Sequence, residues 1–185
     1  ASGFSWKKKW DKTLEWNFDE PKVKWFIGGK MNITENCIDR HLEERGDQVA
    51  ILWEPNDPKE DHIKITYKEL HSRVNAFANV LKRNGASKRD RICLYMPMTP
   101  ELAIATLACA RIGAMHSVVF GGFSAKSLED RSNDSSCNLI VTADGGYRGS
   151  KVIELKKIVD LALENCPSIK KSIVLKRTGG EVEMK

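Results

Sequence analysis

The chain has 185 residues, 41% hydrophobic and 30% charged, enough for one well-buried domain and outside the low-hydrophobicity, high-charge range in which chains stay disordered. A miniprotein held by disulfide staples is excluded on size. Lys and Arg number 30 against 25 Asp and Glu, a formal +5 that favours anionic ligands weakly and falls short of the dense basic stripe of a nucleic-acid binder.

Residues 1–31 carry Trp6, Trp10, Trp16 and Trp25 among lysines, without the period of a helix or a strand. They predict an irregular arm that docks its rings onto the body. Binding to a membrane surface is the alternative, since Lys beside Trp is an interfacial pairing, but the apolar face of an amphipathic helix is missing. No apolar signal-peptide core follows Lys7, Lys8 and Lys9.

From residue 32 to residue 185 the signals are those of an α/β domain. A helix is expected over residues 35–45, with Ile38 and Leu42 on one face and Gly46 as its stop. Residues 48–53 and 63–66 read as two strands of a hairpin around a polar loop. Thr66-Tyr67-Lys68-Glu69 is a capping box, in which Thr66 and Glu69 satisfy each other's free backbone donors. The helix it opens repeats Leu70, Val74, Phe77, Ala78 and Leu81 at three- and four-residue steps and ends at Gly85.

Beyond Gly85, near-continuous apolar strands alternate with helices, as parallel strands covered on both faces require. Strands are expected over residues 92–96, 115–120, 139–142 and 172–175. Helices are expected over 100–112, stopped by Gly113, then from the cap Ser124 to about 134, then over 152–164. The fold class is therefore α/β, a doubly wound, mostly parallel sheet with flanking helices. Ligands sit beyond the carboxyl ends of such strands, which directs attention to the loops after Met96, Phe120 and Thr142.

Cys37, Cys93, Cys109, Cys137 and Cys166 are odd in number and lack metal-type spacing, so a reducing compartment, the cytoplasm, is expected. The most apolar run, residues 102–110, is bounded by Glu101 and Arg111 and reaches less than half of the ~20 residues that cross a bilayer. His41, His62, His71 and His116 show no ligand spacing, and no metal site is expected. Met96-Pro97-Met98-Thr99-Pro100 reads as a strand end turning into a helix with proline at its first position, mainly a structural device.

Two loops remain as candidate sites. Gly121-Gly122-Phe123-Ser124 leaves backbone open where a helix begins, so it serves either as an anion or nucleotide seat or as a tight strand-to-helix turn capped by Ser124. The run from Thr142 to Lys151 sets Arg148 and Lys151 three positions apart in a glycine-rich loop. Those cations either close on a phosphate, or Arg148 pairs with Asp144 in a solvated loop. Both loops are expected to leave neighbouring strands at one sheet edge. Gly-x-x-x-x-Gly-Lys-Ser/Thr and Gly-x-Gly-x-x-Gly fingerprints are missing.

The chain resembles the N-terminal portion of the AMP-forming acetyl-coenzyme A synthetases, of the adenylate-forming superfamily, through most of its length. The resemblance is carried by Ile65-Thr66-Tyr67-Lys68-Glu69-Leu70-His71, by Tyr95-Met96-Pro97-Met98 with Pro100-Glu101, and by Ala108-Cys109-Ala110-Arg111-Ile112-Gly113-Ala114. It continues through His116-Ser117-Val118-Val119-Phe120-Gly121-Gly122-Phe123-Ser124 to Val174-Leu175-Lys176-Arg177-Thr178-Gly179-Gly180.

That resemblance implies a full enzyme using acetate, ATP, Mg2+ and coenzyme A to make acetyl-coenzyme A, AMP and diphosphate through an acetyl-adenylate. It implies that the coenzyme A nucleotide lies beside Phe120, Gly121 and Gly122, with its phosphates met by the loop of Arg148, Gly149, Ser150 and Lys151. Lys151 stands where family members often carry arginine. The ATP and Mg2+ groups are expected in sequence beyond Lys185, which would leave this piece without catalytic residues and inactive alone. A propionyl- or acetoacetyl-coenzyme A synthetase, or a non-catalytic α/β binding module, are the alternatives.

Overall fold

The computed structural model describes residues 3–184. Where an irregular arm is expected, β1 (Lys12–Asn17) and β2 (Lys22–Ile27) form an antiparallel hairpin. Its register sets Leu14 opposite Trp25 and Trp16 opposite Val23, aromatic and aliphatic pairs of the kind that stabilise two-stranded ribbons. The rings do not all dock as expected. Trp6, Trp10 and Phe26 pack on one another with centroids 4.9–5.3 Å apart, while Trp16 and Trp25 stay 57% and 60% exposed. The arm is tied down by polar contacts instead: Ser5 N donates to Asn36 Oδ1 at 2.7 Å, and Lys7 pairs with Glu35 at 2.8 Å.

The helix expected over 35–45 is broken into α1 (Ile33–Cys37), a 3-10 turn (Asp39–His41) and α2 (Leu42–Arg45). The break falls at Ile38, φ −127° and ψ −64°, which is fully buried. The next residue, Asp39, accepts two hydrogen bonds from the Arg111 guanidinium at 3.0 and 2.6 Å. Burying one side chain and pairing the next outweighs a few helical hydrogen bonds.

A hairpin follows as expected, β3 (Val49–Trp53) against β4 (Ile63–Thr66). The capping box is formed at the start of α3 (Tyr67–Arg83): Thr66 Oγ1 accepts from Glu69 N at 3.2 Å and the Glu69 carboxylate accepts from Thr66 N at 2.8 Å. The chain then alternates through β5 (Arg91–Met96), α4 (Pro100–Ile112), β6 (Met115–Phe120), α5 (Ala125–Asp134) and β7 (Leu139–Ala143). It continues with β8 (Gly146–Arg148), β9 (Lys151–Ile153), α6 (Leu155–Leu163) and β10 (Lys171–Leu175). The helix expected from residue 152 begins at Leu155, because residues 151–153 pair with β8.

Four strands form one parallel sheet in the order β10-β7-β5-β6. Because β5 alternates its side chains, Ile92, Leu94 and Met96 join the core made with α3 and α4, whereas Cys93 and Tyr95 join the core made with α5 and α6. Both faces are thus covered. Among the described residues, no helix is long and apolar enough to cross a membrane.

Candidate functional site

The chain runs from β5 to β6 on one side, then crosses back to β7 on the other side of β5. Open α/β sheets bind ligands at such a reversal, outside the carboxyl ends of the strands. A cavity of about 160 Å³ lies there, walled by Met96, Pro97 and Met98 after β5, by Phe120, Gly121 and Gly122 after β6, and by Gly146, Tyr147 and Arg148 of β8, with Ile153 and Leu155.

Two expectations are corrected by this geometry. The two candidate loops do not leave neighbouring strands, since β5 lies between β6 and β7. Consequently the Met96-Pro97-Met98 segment, read from sequence as mainly structural, becomes part of the cavity wall.

Gly121 and Gly122 are not among the positive-φ glycines; their missing side chains matter for space. A Cβ at Gly121 would stand 3.3 Å from the Met96 carbonyl oxygen and 3.5 Å from Leu155 Cδ2, and one at Gly122 would run into the Phe120 ring. The turn is fixed from beneath by Tyr95, fully buried, whose hydroxyl donates to the Phe123 carbonyl at 2.8 Å. Burial pushes the Tyr95 phenol above its ordinary pKa and keeps it a donor. Ser124 caps α5 by accepting from Ser127 N at 3.3 Å. The turn and the open backbone therefore coexist. Phe120 is 57% exposed beside them and meets Phe123 edge to face at 5.7 Å.

The glycine-rich loop expected around Arg148 is a hairpin. Its register pairs Tyr147 with Val152 and Arg148 with Lys151, leaving Gly149 and Ser150 as a two-residue turn. Gly149 takes φ +59° and Ser150 does not share it, the pattern of a turn that favours glycine first. Arg148 lines the cavity. Gly149, Ser150 and Lys151 stand exposed at the hairpin end.

Asp144 does not pair with Arg148, the alternative raised by the sequence. It is 4% exposed, and its carboxylate accepts from the backbone of Gly145 at 2.7 Å, Arg177 at 2.8 Å, Thr178 at 3.0 Å and Gly179 at 2.8 Å. Burial alone would push that carboxyl up, but the four amide donors outweigh it and hold Asp144 below the ordinary carboxylate range. Sequence reasoning named this residue but missed its role, because three of its four partners lie 33–35 positions away. The site also gains Tyr147, which no local motif distinguishes.

An open backbone, an aromatic face and a guanidinium meet at the reversal of a doubly wound sheet, which places the chain in the class of open α/β domains, whose ligand sites lie at that edge. Residues 38–184 match the family model of the AMP-binding enzymes, and residues 1–37 match that of the acetyl-coenzyme A synthetase N-terminus. The chain belongs to the AMP-binding enzyme family.

It is similar to acetyl-coenzyme A synthetases of Magnetococcus marinus, 55% identical over 96% of this chain, and of Bdellovibrio bacteriovorus, 53% identical over all of it. The chain spans 28% and 29% of the lengths of those relatives. Its fold is similar to that of acetoacetyl-CoA synthetase from Streptomyces lividans, with a TM-score of 0.88 and 24% identity, covering 97% of this chain and 27% of the other.

Proposed function

We propose that the chain is the N-terminal part of an AMP-forming acetate–coenzyme A ligase, and that its carboxyl-edge cavity takes the 3′-phosphoadenosine end of coenzyme A. The observation that carries this is the meeting of Arg148 with the Gly121-Gly122 backbone at one cavity. About 160 Å³ is below the ~300–1,000 Å³ of pockets that enclose whole drug-sized ligands, and suits a phosphate or one edge of a purine.

Coenzyme A, when bound, supplies a thiol nucleophile that takes the acyl group from an acyl-adenylate. The residues of this chain have binding roles. Arg148 offers a planar fork to a phosphate, with Lys151 adding a point charge across the hairpin. Gly121 and Gly122 let the ligand reach the main chain, and the exposed face of Phe120 offers a stacking surface. Gly149 and Ser150 present the turn between the two cations. ATP, Mg2+ and acetate are held, in this proposal, by the remainder of a longer polypeptide working in the cytoplasm.

The test is turnover of the full-length protein with acetate, propionate or acetoacetate as acid, reading coenzyme A thioester and diphosphate together. Acetate is expected to give the highest kcat/KM, as the acetyl-coenzyme A synthetases at more than 50% identity suggest. Preference for another acid would assign the neighbouring ligase activity, and no ATP-dependent thioester with any acid would support a binding module.

A further inference from the structure

We propose that Arg177 is a positioning residue, a strap pin that holds the hairpin of β8 and β9 so that Arg148 faces the cavity. This rests on the coenzyme A reading above and deepens it. A ribbon of two three-residue strands is marginal alone, so the direction of Arg148 has to be set from outside the hairpin. The structure supplies the means. The Arg177 guanidinium lies 5.1 Å from the centroid of Tyr147, the neighbour of Arg148 in β8, and 5.4 Å from that of Trp53 at the end of β3. Its Nη2 donates to Glu60 at 3.2 Å, in the loop between β3 and β4.

The same loop holds the hairpin a second time, through Asn56 Nδ2 donating to the Gly149 carbonyl at 2.9 Å. Arg177 itself cannot drift, because its peptide N–H donates to the buried Asp144 carboxylate. Successive side chains of a strand point to opposite faces. Tyr147 and Arg148 nonetheless both border the cavity, and fixing the Tyr147 ring holds the short strand from which Arg148 projects. Arg177 is the joint at which β3, its following loop and β8 meet, so it acts on the ligand through Arg148 without touching it.

The experiment measures, by calorimetry on the full-length protein, the ratio of affinities for coenzyme A and 3′-dephospho-coenzyme A. A loss of packing alone would weaken both ligands and leave that ratio unmoved. Arg148→Ala is expected to abolish the preference. Arg177→Ala is expected to cut it by about fivefold or more, within the ~100-fold that misplacing a group by about 1 Å can cost, while affinity for the dephospho form changes little. Arg177→Lys, which keeps the charge and loses the planar stack, should restore it in part.

A wild-type ratio in Arg177→Ala, with the ratio lost in Arg148→Ala, overturns the strap and leaves the coenzyme A site standing. An unchanged ratio in Arg148→Ala overturns the site, and the strap with it. Should Arg177→Ala not fold, Arg177→Lys, which loses the planar guanidinium over Tyr147 and Trp53, decides the matter: a smaller fall in the ratio is expected, and a wild-type ratio overturns the proposal.

Discussion

Arg148 and Lys151 stand opposite each other on the last rung of the β8–β9 hairpin, and of the two it is Arg148 that lines the cavity. Like charges placed directly across a ribbon destabilise it, and an anion between them relieves the repulsion. Arg148→Ala should therefore weaken coenzyme A binding more than tenfold, since charge-assisted hydrogen bonds contribute about 1.5–3 kcal/mol. Lys151→Ala, at an exposed position, should cost about two- to fourfold, and more of its effect should vanish as salt is raised. Titration at two ionic strengths checks both, and equal losses would contradict the assigned geometry.

Gly146→Ala tests whether the cavity is used. The added Cβ would lie 3.1 Å from Pro97 Cβ and 3.4 Å from Leu155 Cδ1, at the cavity wall. Coenzyme A affinity should fall while overpacking costs about 1–3 kcal/mol of stability, read as a shift in Tm. Gly149→Ala separates strain from filling on the Tm scale: nothing stands within 4 Å of its Cβ, but φ is +59°, so strain of about 1–2 kcal/mol appears at the hairpin turn without any filling of the cavity.

The pH dependence of Asp144 has a definite sign. Its carboxyl titrates lower folded than unfolded, because backbone donors outweigh burial. The stabilisation is therefore complete above the unfolded carboxylate value of about 3.9 and is lost as pH falls through the lower folded value. Asp144→Ala should cost about 3–5 kcal/mol at neutral pH by leaving buried amides unpaired. Denaturant unfolding of wild type and variant between pH 7 and pH 3 should show the difference shrinking on acidification; a constant difference would contradict the charge-assisted role.

Cysteine reactivity should follow burial. Burial pushes Cys93 and Cys109 up to about 12 and raises Cys137 and Cys166, whereas Cys37 is exposed. Since the thiolate is the nucleophile, mass mapping after brief alkylation at pH 8 should find Cys37 modified first and the other four only after denaturation.

The elements that declared themselves in the sequence are those with local causes. The Thr66–Glu69 capping box, the buried stripe of Leu70, Val74, Ala78 and Leu81, and Gly113 at φ +75° closing α4 all follow from residues a few positions apart. What stayed hidden depends on distant partners. The order β10-β7-β5-β6 is a matter of packing, and only that order explains why Pro97 and Met98 reach the cavity. The β8–β9 hairpin was obscured by its glycines and charges, which read as loop until its short strands are paired. Gly121, Gly122 and Arg148 were readable as candidates because they follow the carboxyl ends of expected strands, and Phe120 through the resemblance alone; the structure brings these four to one cavity, whereas Asp144 and Arg177 make their contacts across the fold.

The most direct measurement is a crystal structure of the full-length protein with coenzyme A bound, and in it the separation between the 3′-phosphate and the Arg148 guanidinium. A direct hydrogen bond, with the purine against the Gly121-Gly122 backbone, is the result predicted. A nucleotide lodged elsewhere, with Arg148 turned to solvent, would contradict it.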